Sequence, residues 1–279
     1  MAIPAMRRRF IYPSADLVTL DVNVDLAIDR LACALLATSP GVASGDMDAN
    51  SSVVVLGFPR SGNTYLGAWM ARVVMPGVRV IDGRATHSAL DVHRYANSDV
   101  PVVVPVRNAI DTCASAMVRA GKFDNSHYGL QILRSYEAWY RVAAQAVERE
   151  SVSVITFPQI VSGPRQALID GPIGHLLDPD AAAAVDCRTF TTELRASLSG
   201  IPGQGADQDG VAARLMVSLP EPARARESSA AKALLGSSEF AGRLQRAERA
   251  HELLLRTAHQ HGKLASNAGP VSVDSSGRS

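Results

Sequence analysis

Four short runs of aliphatic and β-branched residues punctuate the chain, at residues 53–56, 78–81, 100–106 and 151–157, and segments of helical period separate them. After the first run, Leu66, Trp69, Met70 and Val73 recur at the spacing of one helix face, and Pro76-Gly77 stops that helix. A second helix is predicted over 108–121, with Asn108 as its N-cap and Gly121 just past its end. A long amphipathic helix is predicted over 127–149 from Ile132, Leu133, Tyr136, Trp139, Tyr140, Ala143 and Val147. Pro105 cannot donate to a strand ladder, which predicts a bulge or an early end within the third run. Strands alternating with helices at these lengths predict an α/β fold, a parallel, right-handed, wound sheet with its ligand edge at the carboxyl ends of the strands.

From Pro164 the strand signal fades. Helical pieces are predicted over 165–177 and 181–199, then a glycine-rich loop over 200–210. A last helix carries Phe240, Leu244, Ala247, Leu254 and Ala258, capped by Ser237 or Ser238 and ended by Gly262. Residues 24–37 read as a short amphipathic helix, packed on the domain edge or serving as a lid or dimer surface, and 41–52 read as a loop. The organisation expected is an N-terminal extension over 1–50, one α/β domain with a helical C-terminal part over 51–263, and a disordered tail over 264–279. No internal repeats stand out.

Composition changes this picture little. The 279 residues are 47% hydrophobic and 20% charged, enough for a single substantial core. The formal charge of +1 gives no bulk attraction to nucleic acid or a membrane surface, so local sites must carry the function. Three cysteines, Cys33, Cys113 and Cys187, have no metal-like spacing and fit a reducing compartment. Arg7, Arg8 and Arg9 superficially resemble an export signal, but Asp16, Asp21, Asp25 and Asp29 interrupt any apolar core behind them. A cytoplasmic location is expected, with no membrane partner and no statement on oligomeric state.

The chemistry concentrates between the first strand and the first helix. Gly57-x-x-x-x-Gly62-Asn63-Thr64 has the outline of a Walker A loop, which turns backbone N–H groups toward one point above a helix N-terminus and so suits a phosphate or another oxyanion. Asn63 stands where the triphosphate-binding lysine should be, and Arg60 sits inside the loop instead. A Walker lysine and Mg²⁺ together neutralise a β/γ-phosphate pair; without the lysine, a donor carrying less charge fits better. A sulfuryl group carries one negative oxygen fewer than a phosphoryl group, so one guanidinium and no metal could suffice.

The segment Phe58-Pro-Arg-Ser-Gly-Asn-Thr-Tyr65 resembles the loop of the sulfotransferases that use 3′-phosphoadenosine 5′-phosphosulfate, and Val103-Val-Pro-Val-Arg-Asn-Ala-Ile-Asp-Thr-Cys-Ala-Ser115 resembles their second motif. The resemblance covers about residues 53–164. It implies a P-loop fold, with Arg60 stabilising the leaving group, Ser61, Gly62, Asn63 and Thr64 donating to the 5′-phosphate, and Tyr65 lying against the adenine or packing in the helix. It further implies that Arg107 and Ser115 hold the 3′-phosphate, with Asp111 as a buttress. Independently of the family, a guanidinium at a strand end can hold a phosphate bidentately, and Asp111 and Ser115 share a helix face; an Arg107–Asp111 ion pair tying strand to helix is the plainer reading.

His87, in a Thr86-His87 segment like the family's Lys-Thr-His, would be the general base, with His93 and His127 as competitors. Two departures stand out: the family's Tyr-Glu-Asp-Leu appears as Phe157-Pro-Gln-Ile160, and its Arg-Lys-Gly closing loop has only Arg214, Arg224 and Arg226 as candidate replacements. The expected reaction is transfer of a sulfuryl group to a hydroxyl, or an amine, of a small-molecule acceptor, a bacterial natural product on the composition, with no metal and no nucleic acid involved. Two alternatives stay open: a P-loop kinase using a nucleoside triphosphate, and a nucleotide-binding interaction protein that has lost its catalysis.

Overall fold

A computed structural model describes residues 51–82, 89–97, 100–199 and 224–264. The N-terminal extension, His87, the glycine-rich loop with Arg214, and residues 265–279 lie outside the described residues. The four apolar runs are strands: β1 Ser52–Val55, β2 Arg79–Asp82, β3 Val102–Val106 and β4 Val152–Thr156. They form one parallel sheet in the order β2-β1-β3-β4. From β1 the chain winds outward to β2 and then crosses back to β3 on the other side, so the carboxyl ends of β1 and β3 flank the point where the strand order reverses.

The helices are α1 Asn63–Val73, α2 Ala89–Ala96, α3 Ala109–Arg119, α4 Ser126–Ala146, α5 Phe157–Ser162, α6 Arg165–Ile169, α7 Pro179–Ala184, α8 Cys187–Ser199, α9 Ala225–Leu235 and α10 Ala241–Gln260. They cover both faces of the sheet, which is why its strands are near-continuous runs of valine. Val54, Val102, Val104 and Val154 pack with Tyr136, Tyr140, Phe240 and Leu254 on one face. Val53, Val55, Val103 and Ile155 pack with Leu66, Trp69, Ile173 and Phe190 on the other. No helix among the described residues is long and apolar enough to cross a membrane.

Helix ends follow the local chemistry in two places. Asn108 caps α3 by accepting from Asp111 N at 2.9 Å. At the other end Gly121 adopts φ 64°, so that Gly121 N reaches Val118 O and Lys122 N reaches Met117 O, the paired bonds of a left-handed stop.

Four expectations need correction. Pro105 lies in an unbroken β3, in register with Ile155. Leu56 N bonds Val103 O, while Val102 N bonds Ser151 O, so by alternation the amide Pro105 lacks would face β1, where β1 has already turned away. Neither Ser237 nor Ser238 caps the last helix; Phe240 is its N-cap residue and makes no side-chain cap bond. The helical pieces expected over 165–177 and 181–199 are broken into α6, a 3₁₀ turn at Gly174–Leu176, α7 and α8. Leu264, placed in the tail, bridges to Val154, and Lys263 O accepts from Val154 N at 2.9 Å along the outer edge of β4.

Two histidines make stability depend on pH. Because a carbonyl can only accept, His93 Nε2 carries the hydrogen that it donates to Val142 O at 2.9 Å, and burial, with a smaller effect of Arg149, lowers the ring's pKa below 6.5. His251, tilted against Tyr140 with centroids 5.5 Å apart, is lowered by burial against the opposing pull of Glu252. With folded pKa values below unfolded ones, the neutral rings' contribution is present in full above about 6.5 and is lost as pH falls from there through the folded values. The urea midpoint is therefore expected to fall between pH 7.5 and 5, and His93→Gln should flatten that slope; an unchanged slope refutes the assignment.

Candidate functional site

The loop between β1 and α1 is fixed from inside. Phe58 is fully buried and stands edge-on to Tyr136 at 5.2 Å and Trp139 at 6.1 Å. Asn63, buried at the start of α1, donates its amide to Gly57 O at 3.2 Å and Phe58 O at 2.9 Å. Its side-chain donor thus ties the loop to the helix. Ser61 N closes a turn on Phe58 O, and the chain takes positive φ at Arg60 (74°) and Gly62 (104°). Arg60 is the one non-glycine residue with positive φ among the described residues, a conformation that costs roughly 1–2 kcal/mol. Gly62 is the N-cap of α1 and has no side chain with which to cap it. Ser61 Oγ is buried against Tyr140 but makes no hydrogen bond of good geometry.

Arg107 follows the last residue of β3, and its main chain is clamped by α4. Arg107 N donates to the Tyr140 hydroxyl at 3.0 Å, while Arg107 O accepts from Tyr136 at 2.5 Å and Tyr140 at 3.1 Å. Burial raises both phenol pKa values, so the hydroxyls remain protonated donors. The Arg107 guanidinium lies 4.2 Å over the Phe157 ring, Nη1 reaches Arg60 O at 3.4 Å, and Nε is buried without a hydrogen-bond partner among the described residues. Burial lowers its pKa, opposed by Asp111, and an arginine so shifted is still charged at neutral pH.

Ser115, on α3, accepts from Arg60 Nε at 2.9 Å. Arg60 thus touches Ser115 through its side chain and Arg107 through its main-chain oxygen, which brings the loop, Arg107 and Ser115 together at the carboxyl ends of β1 and β3. Thr64 is buried in the first turn of α1.

Other residues singled out from the sequence are engaged elsewhere. Tyr65 turns away to pack edge-on against Phe190 of α8 at 5.0 Å; burial pushes its pKa up to about 12. Asp111 pairs with Lys232 of α9 at 2.5 Å and with Asn108 Nδ2 at 2.9 Å. Burial opposes ionisation of Asp111, but Lys232, Asn108 and Arg107 outweigh it and hold the carboxyl below its ordinary range. The plainer strand-to-helix ion pair is thus replaced by a link between α3 and α9. His93 is committed to Val142 O, and exposed His127 bonds Gln131 at 3.1 Å. Arg224 is the N-cap residue of α9, and Arg226 lies in its first turn.

Tyr136, Tyr140 and Phe157, which hold Arg107 in place, lie outside the sequence motifs of the site. The only sequence signal was the i, i+4 spacing of the two tyrosines and the aromatic that follows β4.

Comparison with protein-family models, with curated proteins and with solved structures returns no match.

Proposed function

We propose that the loop at 57–64 is a phosphate-cradling P-loop and that the protein transfers a sulfuryl group from 3′-phosphoadenosine 5′-phosphosulfate to a hydroxyl of a small-molecule acceptor. The observation that carries this reading is the convergence of Arg60 with Ser115 at 2.9 Å and with Arg107 at 3.4 Å. Two anion-binding elements about fifty residues apart thereby become one continuous surface. Main-chain amides of Gly62, Asn63 and Thr64, with the Ser61 hydroxyl, serve the 5′-phosphate, and Arg107 with Ser115 serves the 3′-phosphate. Arg60 leaves Ser115 when the donor enters and turns to the sulfuryl group and the bridging oxygen.

The acceptor oxygen attacks sulfur in line, and the bond between sulfur and the bridging phosphate oxygen breaks. 3′-Phosphoadenosine 5′-phosphate leaves, and the acceptor's proton passes to His87, a role resting on its sequence position alone. Asn63 helps by shaping the loop, since its amide is already bonded to loop carbonyls. That engagement, in place of a lysine, also weighs against a kinase.

The test is transfer of labelled sulfate from the donor to a panel of phenols and alcohols in the presence of EDTA. Transfer is expected. Transfer of the γ-phosphate from a nucleoside triphosphate, dependent on Mg²⁺, would replace this reading with the kinase, and tight bisphosphate binding with no transfer to any acceptor would replace it with the interaction protein. With an acceptor in hand, His87→Ala should lower kcat by roughly 100-fold or more and leave nucleotide affinity nearly unchanged. Undiminished turnover would remove His87 as the base.

A further inference from the structure

Glu137 lies on the side of α4 that packs against α10, and only 3% of it is exposed. Three guanidinium groups converge on its carboxylate: Arg243 Nη1 at 3.2 Å, Arg141 Nη2 at 3.2 Å and Arg246 Nε at 3.7 Å. Arg243, itself buried, donates a hydrogen bond to Oε2 and would be sufficient to neutralise the acid. The Nε atoms of Arg141 and Arg246 are buried yet have no hydrogen-bond partner among the described residues, and the Glu137 Oε1 that Arg141 approaches is likewise left with an ion pair and no hydrogen bond. The cluster thus holds two more positive charges than negative ones, together with buried donors that lack acceptors, and a buried donor left unpaired is costly.

The excess charge is felt within the cluster. Burial lowers the pKa of Arg243 first, and the positive charges of Arg246 and Arg134 lower it further. The side chains of Arg141 and Arg246 are 36% and 40% exposed, so the cluster opens to solvent between them. Two planar forks beside a buried third suit an oxyanion with several oxygens, because each fork can donate two parallel bonds. A halide offers no such set of acceptors.

We propose that the seam between α4 and α10 around Arg141, Arg243 and Arg246 binds a compact multivalent oxyanion of the phosphate class. The site is separate from the proposed nucleotide surface, since Tyr136 and Tyr140 of the same helix point to Arg107.

The test uses inorganic pyrophosphate and the full chain. Equilibrium dialysis with labelled pyrophosphate is run in the Arg107→Ala background, which removes the proposed 3′-phosphate contact but leaves the loop, against chloride at equal ionic strength, and the seam variants separate seam binding from binding at the loop. Saturable binding is expected to survive there and to raise the melting temperature, with orthophosphate and sulfate weaker. Arg141→Gln and Arg246→Gln should each lower pyrophosphate affinity at least about tenfold, since each removes a charge-assisted fork. Arg246→Lys, which keeps the charge and the least disturbed packing, should lose part of the affinity. Folding of each variant is checked by circular dichroism, and the lysine variant decides should a glutamine variant misfold. Absence of binding beyond chloride, loss of all binding in the Arg107→Ala background, or unchanged affinity in the seam variants would each overturn the proposal.

Discussion

Replacing Arg107 with alanine is expected to weaken binding of 3′-phosphoadenosine 5′-phosphate roughly 30- to 1000-fold while changing binding of adenosine 5′-phosphate by less than about threefold. The range corresponds to about 2–4 kcal/mol, within the usual cost of removing one member of a desolvated, hydrogen-bonded charge pair. Several features make the substitution a clean probe. The main chain of Arg107 is held by Tyr136 and Tyr140, so the end of β3 should stay in place when the side chain is cut. The side chain's own bond to the loop, Nη1 to Arg60 O, is long at 3.4 Å, so the proposed 5′-phosphate cradle should lose little.

Phe157 pins one face of the guanidinium, which leaves its edge for a planar, two-bond contact. Arg107→Lys keeps the charge without the fork and should recover only part of the loss. Isothermal titration of both nucleotides against the three proteins reads the difference directly. Equal losses for the two nucleotides would mean that Arg107 supports the loop and does not recognise the 3′-phosphate.

How far the sequence discloses this arrangement depends on the range of the interaction. The strands are legible because a strand buried on both faces must be apolar at every position, and 53–56 and 100–106 leave no other reading. The ends of α3 are legible because Asn108 and Gly121 act within a turn of themselves. Helix α2 escapes because its buried set, Ala89, Val92 and Ala96, is small, and α9 escapes because alanine and serine carry little periodic signal.

Pro105 misleads for the opposite reason: its effect on a ladder depends on which neighbour its missing amide faces, and that is fixed by where β1 ends. The site divides along the same line. Glycines and cations at strand ends can be read from spacing, whereas the choice of Lys232 as the partner of Asp111, and of two α4 tyrosines as the clamp on Arg107, is made by tertiary packing. The bond of Glu137 to Arg243 joins residues 106 positions apart and has no local signature, in contrast to the i, i+4 pair of Glu137 with Arg141.

Gly57→Ala is expected to destabilise the protein by about 3 kcal/mol, a melting-temperature drop of roughly 6–12 °C for a domain of this size, and to lower affinity for adenosine 5′-phosphate as well as for the bisphosphate. The cause is a close approach of two main chains. A methyl group at Gly57 would lie 2.6 Å from Pro105 O, 2.7 Å from Pro105 Cγ and 2.9 Å from Asn63 Oδ1. Pro105 cannot retreat, because its neighbours Val104 and Val106 hold β3 in register with β4 on either side of it. Asn63 is no freer, because its amide holds the carbonyls of Gly57 and Phe58.

The strain must therefore pass into the loop itself, moving Arg60 off Ser115 and disturbing the amides that follow. Gly67→Ala provides the contrast. Among the described residues its methyl would meet nothing within 4 Å, and alanine in the middle of α1 should add about 0.5–1 kcal/mol of stability through helix propensity. Thermal denaturation of the two variants, with nucleotide titration of each, separates an effect of the loop from a general effect of replacing a glycine. A Gly57→Ala protein as stable as the wild type, or one with intact affinity for adenosine 5′-phosphate, would show that the packing of this loop on β3 does not set the geometry of the anion site.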